Sequence, residues 1–163
     1  MRLTFLALPL ALLVLAACGS GPEVAGRAVT ELDRYPAASP ELIARIDRAA
    51  DEHGVPRALM HRVVQRESGY RPGARNGPYW GLMQVLPQTA RTMGFRGEPA
   101  QLLDPEVNLR YAGRYLRGAW LVSDGNMDRA VQWYASGYYY EARNRCLLVA
   151  TGLAQREVNR RCG

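Results

Sequence analysis

Leu59, Val63 and Glu67 stand at i, i+4 and i+8, and Met60, Val64 and Glu67 at i, i+4 and i+7. On a helix these residues share one face, so the carboxylate of Glu67 lies on the side that the apolar residues turn inward. Partial withdrawal from water raises a carboxyl pKa, which a general acid needs in order to hold a proton near neutral pH. A glutamate at this place has two readings. It either reaches the rim and pairs with a neighbouring arginine or donates a proton to a substrate, and the helix alone leaves both open.

Two other polar residues interrupt apolar patterns. Gln84 sits inside the run Gly81-Leu82-Met83-Gln84-Val85-Leu86, where its amide either bonds to backbone in the core or points into a cleft. Asn108 shares a helical stripe with Ala112, Leu116 and Ala119 and is a further inward polar group. A metal centre is not expected, because His53 and His61 are the only histidines and lack a ligand spacing; no cofactor is expected either.

Helix signals set the scaffold around these residues. Ser39-Pro40-Glu41 supplies an N-cap, a proline in the first turn and an early acid, with Leu42, Ile43, Ile46, Ala49 and Ala50 on one face and Gly54 as the stop. Pro56 opens the helix carrying Glu67, and Gly69 closes it. Tyr70 to Trp80 reads as a Pro- and Gly-rich loop, and Pro87 starts a short helix to about Met93. Asp104-Pro105-Glu106 repeats the start signature for a long helix to about Val122. After the break at Asp124-Gly125-Asn126, Met127, Ala130, Val131 and Tyr134 mark another helix, halted near Gly137, and a last one is expected from about Tyr140 to Ala154. No strand alternation stands out, so the expected class is all-α.

The 163 residues suffice for one domain with a sizeable core. The net charge is +6 and every basic residue is arginine, which suits phosphate and carboxylate partners. No block of like charge occurs, so the pattern favours a solvated surface over a nucleic-acid footprint, and no nucleic-acid partner is expected. Met1-Arg2, the apolar stretch Leu3 to Leu15 and the small pair Ala16-Ala17 form an export signal over residues 1–17.

Leu15-Ala16-Ala17-Cys18-Gly19 resembles the lipobox of bacterial lipoproteins, which implies an acylated Cys18 as the mature N-terminus. The implied address is the periplasm, anchored to a membrane through Cys18; Gly rather than Asp at position 19 favours the outer membrane. Residues 18–38 then form the lipidated N-terminus and a flexible tether, with a reach of roughly 25 Å. With Cys18 acylated, Cys146 and Cys162 are left as a pair in an oxidising compartment, and a disulfide between them is expected, contributing about 3 kcal/mol.

Three motifs in order, Glu67-Ser68-Gly69-Tyr70, Gly81 to Ala90, and Asp104 to Asn108 with Gly113 and Tyr115-Leu116, are followed by Trp133 to Gly137. Together they resemble the soluble-lytic-transglycosylase domain of glycoside hydrolase family 23, over about residues 40–137. The resemblance implies a lysozyme-like (goose-type) helical domain over residues 39–163 with a glycan-binding cleft, and peptidoglycan strands as the partner of a monomeric enzyme. It implies a lytic transglycosylase that cleaves the β-1,4 bond between N-acetylmuramic acid and N-acetylglucosamine and leaves 1,6-anhydro ends. Glu67 matches the catalytic acid, and Tyr134 matches a tyrosine that hydrogen-bonds it. Ser68, Gly81, Met83, Gln84 and Asn108 match positions at or beside the substrate.

One departure stands out. Where the family has Tyr-Asn-Ala-Gly, this chain has Tyr134-Ala135-Ser136-Gly137, and a cleft amide is missing. Tyr79, Trp80, Tyr138, Tyr139 and Tyr140 are candidates for stacking on sugars or for core and rim packing. No second carboxylate is an obvious partner for Glu67. Two other functions stay open on sequence grounds: a muramidase giving hydrolysed ends, and a weakly active glycan-binding module of an envelope-spanning assembly.

Overall fold

The computed structural model describes Tyr35 and residues 37–162. The expected leader, Cys18 and most of the expected tether fall outside the described residues. The chain is all-α, with six α-helices among the described residues and one small hairpin. The helices are α1 (Pro40–His53), α2 (Arg57–Ser68), α3 (Pro87–Thr92), α4 (Pro105–Val122), α5 (Met127–Ser136) and α6 (Tyr139–Asn144). A 3₁₀ turn at Pro99–Leu103 precedes α4, and another at Arg160–Cys162 lies in the tail.

The helix ends follow from side-chain and backbone capping. Ser39 Oγ accepts from Leu42 N–H at 3.3 Å, and an Asp104 carboxylate oxygen accepts from Val107 N–H at 3.0 Å, so both expected N-caps satisfy a free first-turn donor. Asn126 does the same for Arg129 N–H at 2.9 Å at the head of α5. Gly69 ends α2 in the left-handed region at φ 58°, where a side chain would be strained, and this sharp stop sits two residues after Glu67.

Helix α4 is the axis of the body. It packs against α1, α3, α5 and the 3₁₀ turn before it, while α2 lies across α1 and α5. Ile46, Leu59, Met60, Val64, Leu116 and Ala119 have almost no exposed surface, as the apolar stripes require. Met127, expected on the α5 stripe, is instead 41% exposed because it opens the first turn, ahead of the packed part of that helix.

Three expectations are corrected. The loop from Tyr70 to Trp80 contains an antiparallel hairpin, β1 (Arg75–Asn76) and β2 (Tyr79–Trp80), held on one side by Arg75 stacked over the Trp80 ring at 3.5 Å. The last helix is short: α6 stops at Asn144, Cys146 turns the chain at φ 56°, and residues 147–151 form turns that bury Leu148. The packed body also starts before Ser39, because Tyr35 and Ala38 join the core. A disulfide joins Cys146 to Cys162 and fastens the tail beside the end of α6.

Candidate active site

Glu67 lies in the last turn of α2 and lines a cavity of about 310 Å³ with Arg66, Asn76, Tyr79, Gln84, Tyr134 and Ala135. A second cavity of about 220 Å³ shares Tyr79, Gln84, Tyr134 and Ala135 and continues past Val85, Thr89, Tyr115, Ser136 and Gly137. The four shared residues make the two cavities one cleft. Its walls are α2, the hairpin, the loop 81–86 and the C-terminal turn of α5.

The carboxylate of Glu67 has one charged partner, Arg66, at the long distance of 3.7 Å. Its side chain keeps 22% of its surface, and no hydrogen bond reaches it among the described residues. Burial pushes its pKa above the usual glutamate range; the Arg66 guanidinium, 3.7 Å away, pulls in the opposite direction and is outweighed. Among the described residues, Glu67 is the sole carboxylate lining the cleft. Several other acids are engaged elsewhere: Asp124 pairs with Arg145, Asp128 with Arg62 and Glu106 with Arg45, while Asp104 caps α4.

The loop opposite Glu67 is built by Asn108 from below. Asn108 has no exposed surface; its Oδ1 accepts from Met83 N–H at 2.9 Å, and its Nδ2 donates to the carbonyls of Trp80 and Leu102 at 2.9 and 2.8 Å. Gly81 is required at this crossing, since a Cβ there would stand 2.2 Å from the Leu102 carbonyl oxygen and 2.3 Å from Asn108 Nδ2. Gln84 meets both readings of its amide at once. Its Nε2 donates to the carbonyls of Gly81 and Ala74 at 2.8 and 3.0 Å, and the residue still lines the cleft.

Tyr134 is fixed by the same loop. Its hydroxyl donates to the Met83 carbonyl at 2.8 Å, so the expected hydrogen bond to Glu67 is absent. The single phenolic proton is already spent on that carbonyl. Burial first, and then the nearby Glu67 charge, hold the phenol well above its ordinary pKa. Tyr134 therefore stays neutral and closes the cleft floor.

Several matched positions support the cleft without facing it. Met83 has no exposed surface, and what it offers is its backbone: the N–H to Asn108 and the carbonyl to Tyr134. Ser68 is buried, donates to the Val64 carbonyl at 3.2 Å and accepts from Arg71 N–H at 3.3 Å, which secures the turn after α2. Asn108, Met83 and Ser68, matched to positions at or beside the substrate, thus have these polar groups bonded within the protein, where they position the loop 81–86 and the turn after α2.

Of the aromatic candidates, Tyr79 lines the cleft and is 42% exposed, while Tyr138 is core, its hydroxyl donating to the Tyr115 carbonyl at 2.8 Å. Asn76 and Arg66 were not singled out by the sequence. The only hint for Arg66 was its place beside Glu67, and Asn76 gave none, since a two-residue strand has no pattern. Ala135 faces both halves of the cleft with a methyl group, and the neighbouring Ser136 hydroxyl donates back to the Gln132 carbonyl at 2.9 Å instead of replacing an amide. Among the described residues no cluster of metal-binding side chains occurs.

Residues 44–145, more than half of the chain, match the transglycosylase SLT domain family. The chain belongs to that family. Its helical body and cleft are accordingly a lysozyme-like domain. The peptidoglycan transglycosylase gp16 of Escherichia phage T7 is 34% identical over 95 residues, which cover 55% of this chain. The matched part spans only 7% of that relative's length. No solved structure matches the SLT domain described here. The matched family region takes in every residue of the cleft and ends at Arg145, before the disulfide-bonded tail.

Proposed function

We propose that this SLT domain is a lytic transglycosylase of the glycoside hydrolase family 23 type, acting on peptidoglycan with Glu67 as its one catalytic acid and base. The observation that carries the reading is Glu67 as the solitary cleft carboxylate among the described residues. A glycosidase that works with two carboxyl groups sets them about 5 Å apart for retention, or further apart with a water between them for inversion. The wall facing Glu67 offers Gln84, Tyr134 and Ala135, none of which can serve as that second group.

One group suffices when the substrate supplies the rest. Protonated Glu67 gives its proton to the bridging oxygen, and the bond from that oxygen to C1 of the muramic acid breaks. The substrate's N-acetyl oxygen stabilises the cationic carbon, and its own C6 hydroxyl attacks C1. Glu67, now a carboxylate, takes the hydroxyl proton and is ready for another turn. No water is consumed. Because the nucleophile belongs to the substrate, bringing it to the reacting carbon costs little entropy. The desolvated setting of Glu67, only weakly offset by Arg66, suits the first step, which needs the acid form.

Digestion of purified peptidoglycan followed by mass spectrometry tests the mechanism. Anhydro ends, lighter by one water than hydrolysed ends, are expected, and Glu67→Gln should lower the rate by at least about 10²-fold. Hydrated ends would make the enzyme a muramidase, the absence of fragments would leave a glycan-binding module, and full activity in Glu67→Gln would remove Glu67 from the chemistry.

The same proposal places the enzyme in the periplasm, lipid-anchored through Cys18 and facing the wall from the outer membrane. Its support is the sequence Leu15-Ala16-Ala17-Cys18-Gly19 behind an export signal. Mass spectrometry of the N-terminal peptide from the exported protein should show an acylated Cys18; an unmodified cysteine, or a leader still in place, would end this part.

A further inference from the structure

Past the family match, the tail crosses the end of α6 and builds a second groove. It holds about 400 Å³ and is lined by Tyr139, Arg143, Val158, Asn159, Arg160 and Arg161. Three attachments fix the tail there. Cys162 is bonded to Cys146, Asn159 Nδ2 donates to the Arg143 carbonyl at 3.4 Å, and the Glu157 carboxylate accepts from the N–H groups of Leu148 and Val149 at 3.2 and 2.9 Å. The third attachment turns the tail's nearest acid onto backbone donors, and among the described residues no carboxylate lines the groove.

The groove's arginines are consequently unopposed. Among the described residues, Arg143, Arg160 and Arg161 make no ion pair, whereas nearby Arg145 is paired with both Asp124 and Glu141. Arg160 and Arg161 are exposed. The Arg143 guanidinium donates to Asn144 Oδ1 at 3.3 Å and lies 5.1 Å from the centre of the exposed Tyr140 ring, so it is held in a set direction. Guanidinium groups bind carboxylates through paired hydrogen bonds, and three of them without a facing acid suit a ligand with several carboxylates.

The groove and the cleft are lined by residues close in the chain. Gly137 lines the part of the cleft that Glu67 does not reach, and Tyr139 lines the groove. Two residues of chain span at most about 7 Å. A strand leaving the cleft past Gly137 would therefore have the arginines within reach of its side branches.

We propose that Arg143, Arg160 and Arg161 form a subsite for the carboxylates of the short peptides that branch from the glycan strand held in the cleft. The inference rests on the glycan-cleaving reading of the cleft and adds to it a preference for peptide-bearing strands. Nearness to the cleft along the chain favours these substrate carboxylates over an anionic lipid surface, the other polyanion within the chemistry of the groove.

Fluorescence anisotropy with labelled soluble strands tests it, comparing peptide-bearing strands with strands whose peptides an amidase has removed. All variants carry Glu67→Gln so that no strand is cut. Arg160→Glu with Arg161→Glu should weaken binding to peptide-bearing strands by about tenfold, as two exposed charge contacts allow, and leave stripped strands unchanged. Arg160→Lys with Arg161→Lys should keep most of the binding, and added salt should weaken binding of the parent to peptide-bearing strands alone. Unchanged binding to peptide-bearing strands, or an equal loss on both strands, would overturn the subsite. A loss seen only on phosphatidylglycerol vesicles would also overturn it and assign the groove to lipid. Because this is a binding measurement, the subsite stands if the discrimination appears although the wild type cuts nothing, and falls if cutting is normal without discrimination.

Discussion

His61 and Glu67 stand six residues apart on α2 and are held in opposite ways. The His61 ring is almost wholly buried, stacked on Tyr35 with centroids 4.0 Å apart. Its Nε2 donates to Asp47 Oδ1 at 3.0 Å, and its Nδ1 lies 3.2 Å from the Tyr70 hydroxyl. Glu67 keeps more solvent contact but has no hydrogen bond among the described residues, and its one close cation is offset from good pairing geometry at 3.7 Å. A buried ionisable group with all its needs met is a fastener, here tying α1, α2 and the chain after Gly69 together. One that is desolvated and poorly matched keeps its proton to higher pH, where a substrate can receive it. On the proposed function, the helix thus carries a structural ionisable group and a chemical one, and partners rather than burial tell them apart.

The largest way to break this contrast is to remove the fastener. His61→Ala should lower stability by about 3 kcal/mol in denaturant melts, because it opens a cavity and strips Asp47 and Tyr70 of a buried partner. The folded fraction should still cleave. Glu67→Gln should do the reverse, with activity lost and stability raised. The folded carboxyl binds its proton to higher pH than the unfolded one, so Glu67 favours folding below its ordinary value of 4.5 and opposes it increasingly as pH rises through the folded pKa. The amide variant should accordingly melt above wild type at neutral pH, by less than the His61→Ala loss, with the gap closing on acidification below 4.5. If His61→Ala is as stable as wild type, or if Glu67→Gln is the less stable of the pair at neutral pH, the division of roles is wrong.

Local signals in the chain account for the scaffold, and long-range bonds account for what they miss. Ser39-Pro40-Glu41, Asp104-Pro105-Glu106 and Gly69 mark helix ends because capping is satisfied within a few residues. Glu67 was legible for the same reason: helical periodicity places it. That Asn108 turns inward was legible too, but not that its amide is consumed by Trp80, Met83 and Leu102, because those partners arrive from a loop whose path no local pattern encodes. The hairpin escaped notice because strands of two residues show no alternation. The apolar stretch after Asn144 looked helical by composition, yet Leu148 alone is fully buried there, and a positive φ at Cys146 breaks the helix first. The second groove lay hidden in the charge count, where paired and unpaired arginines look alike.

The smallest expected effect isolates what sets Glu67's proton affinity. Burial raises its pKa and Arg66 lowers it, so Arg66→Ala should raise it further and keep the acid form present to higher pH. In a pH profile of kcat/KM, the alkaline limb should move upward in Arg66→Ala and stay in place in Arg66→Lys, which retains the charge. The movement should be small, since the Arg66 side chain is 52% exposed and solvent screens the pair. Salt supplies an independent check: raising ionic strength should carry the wild-type limb toward that of Arg66→Ala and leave the variant's own limb nearly unmoved. A limb that shifts downward in Arg66→Ala would mean that the guanidinium does not act on Glu67 through its charge. An upward shift without loss of thermal stability would show that Arg66 tunes the acid while the buried partners of His61 hold the helix that carries it.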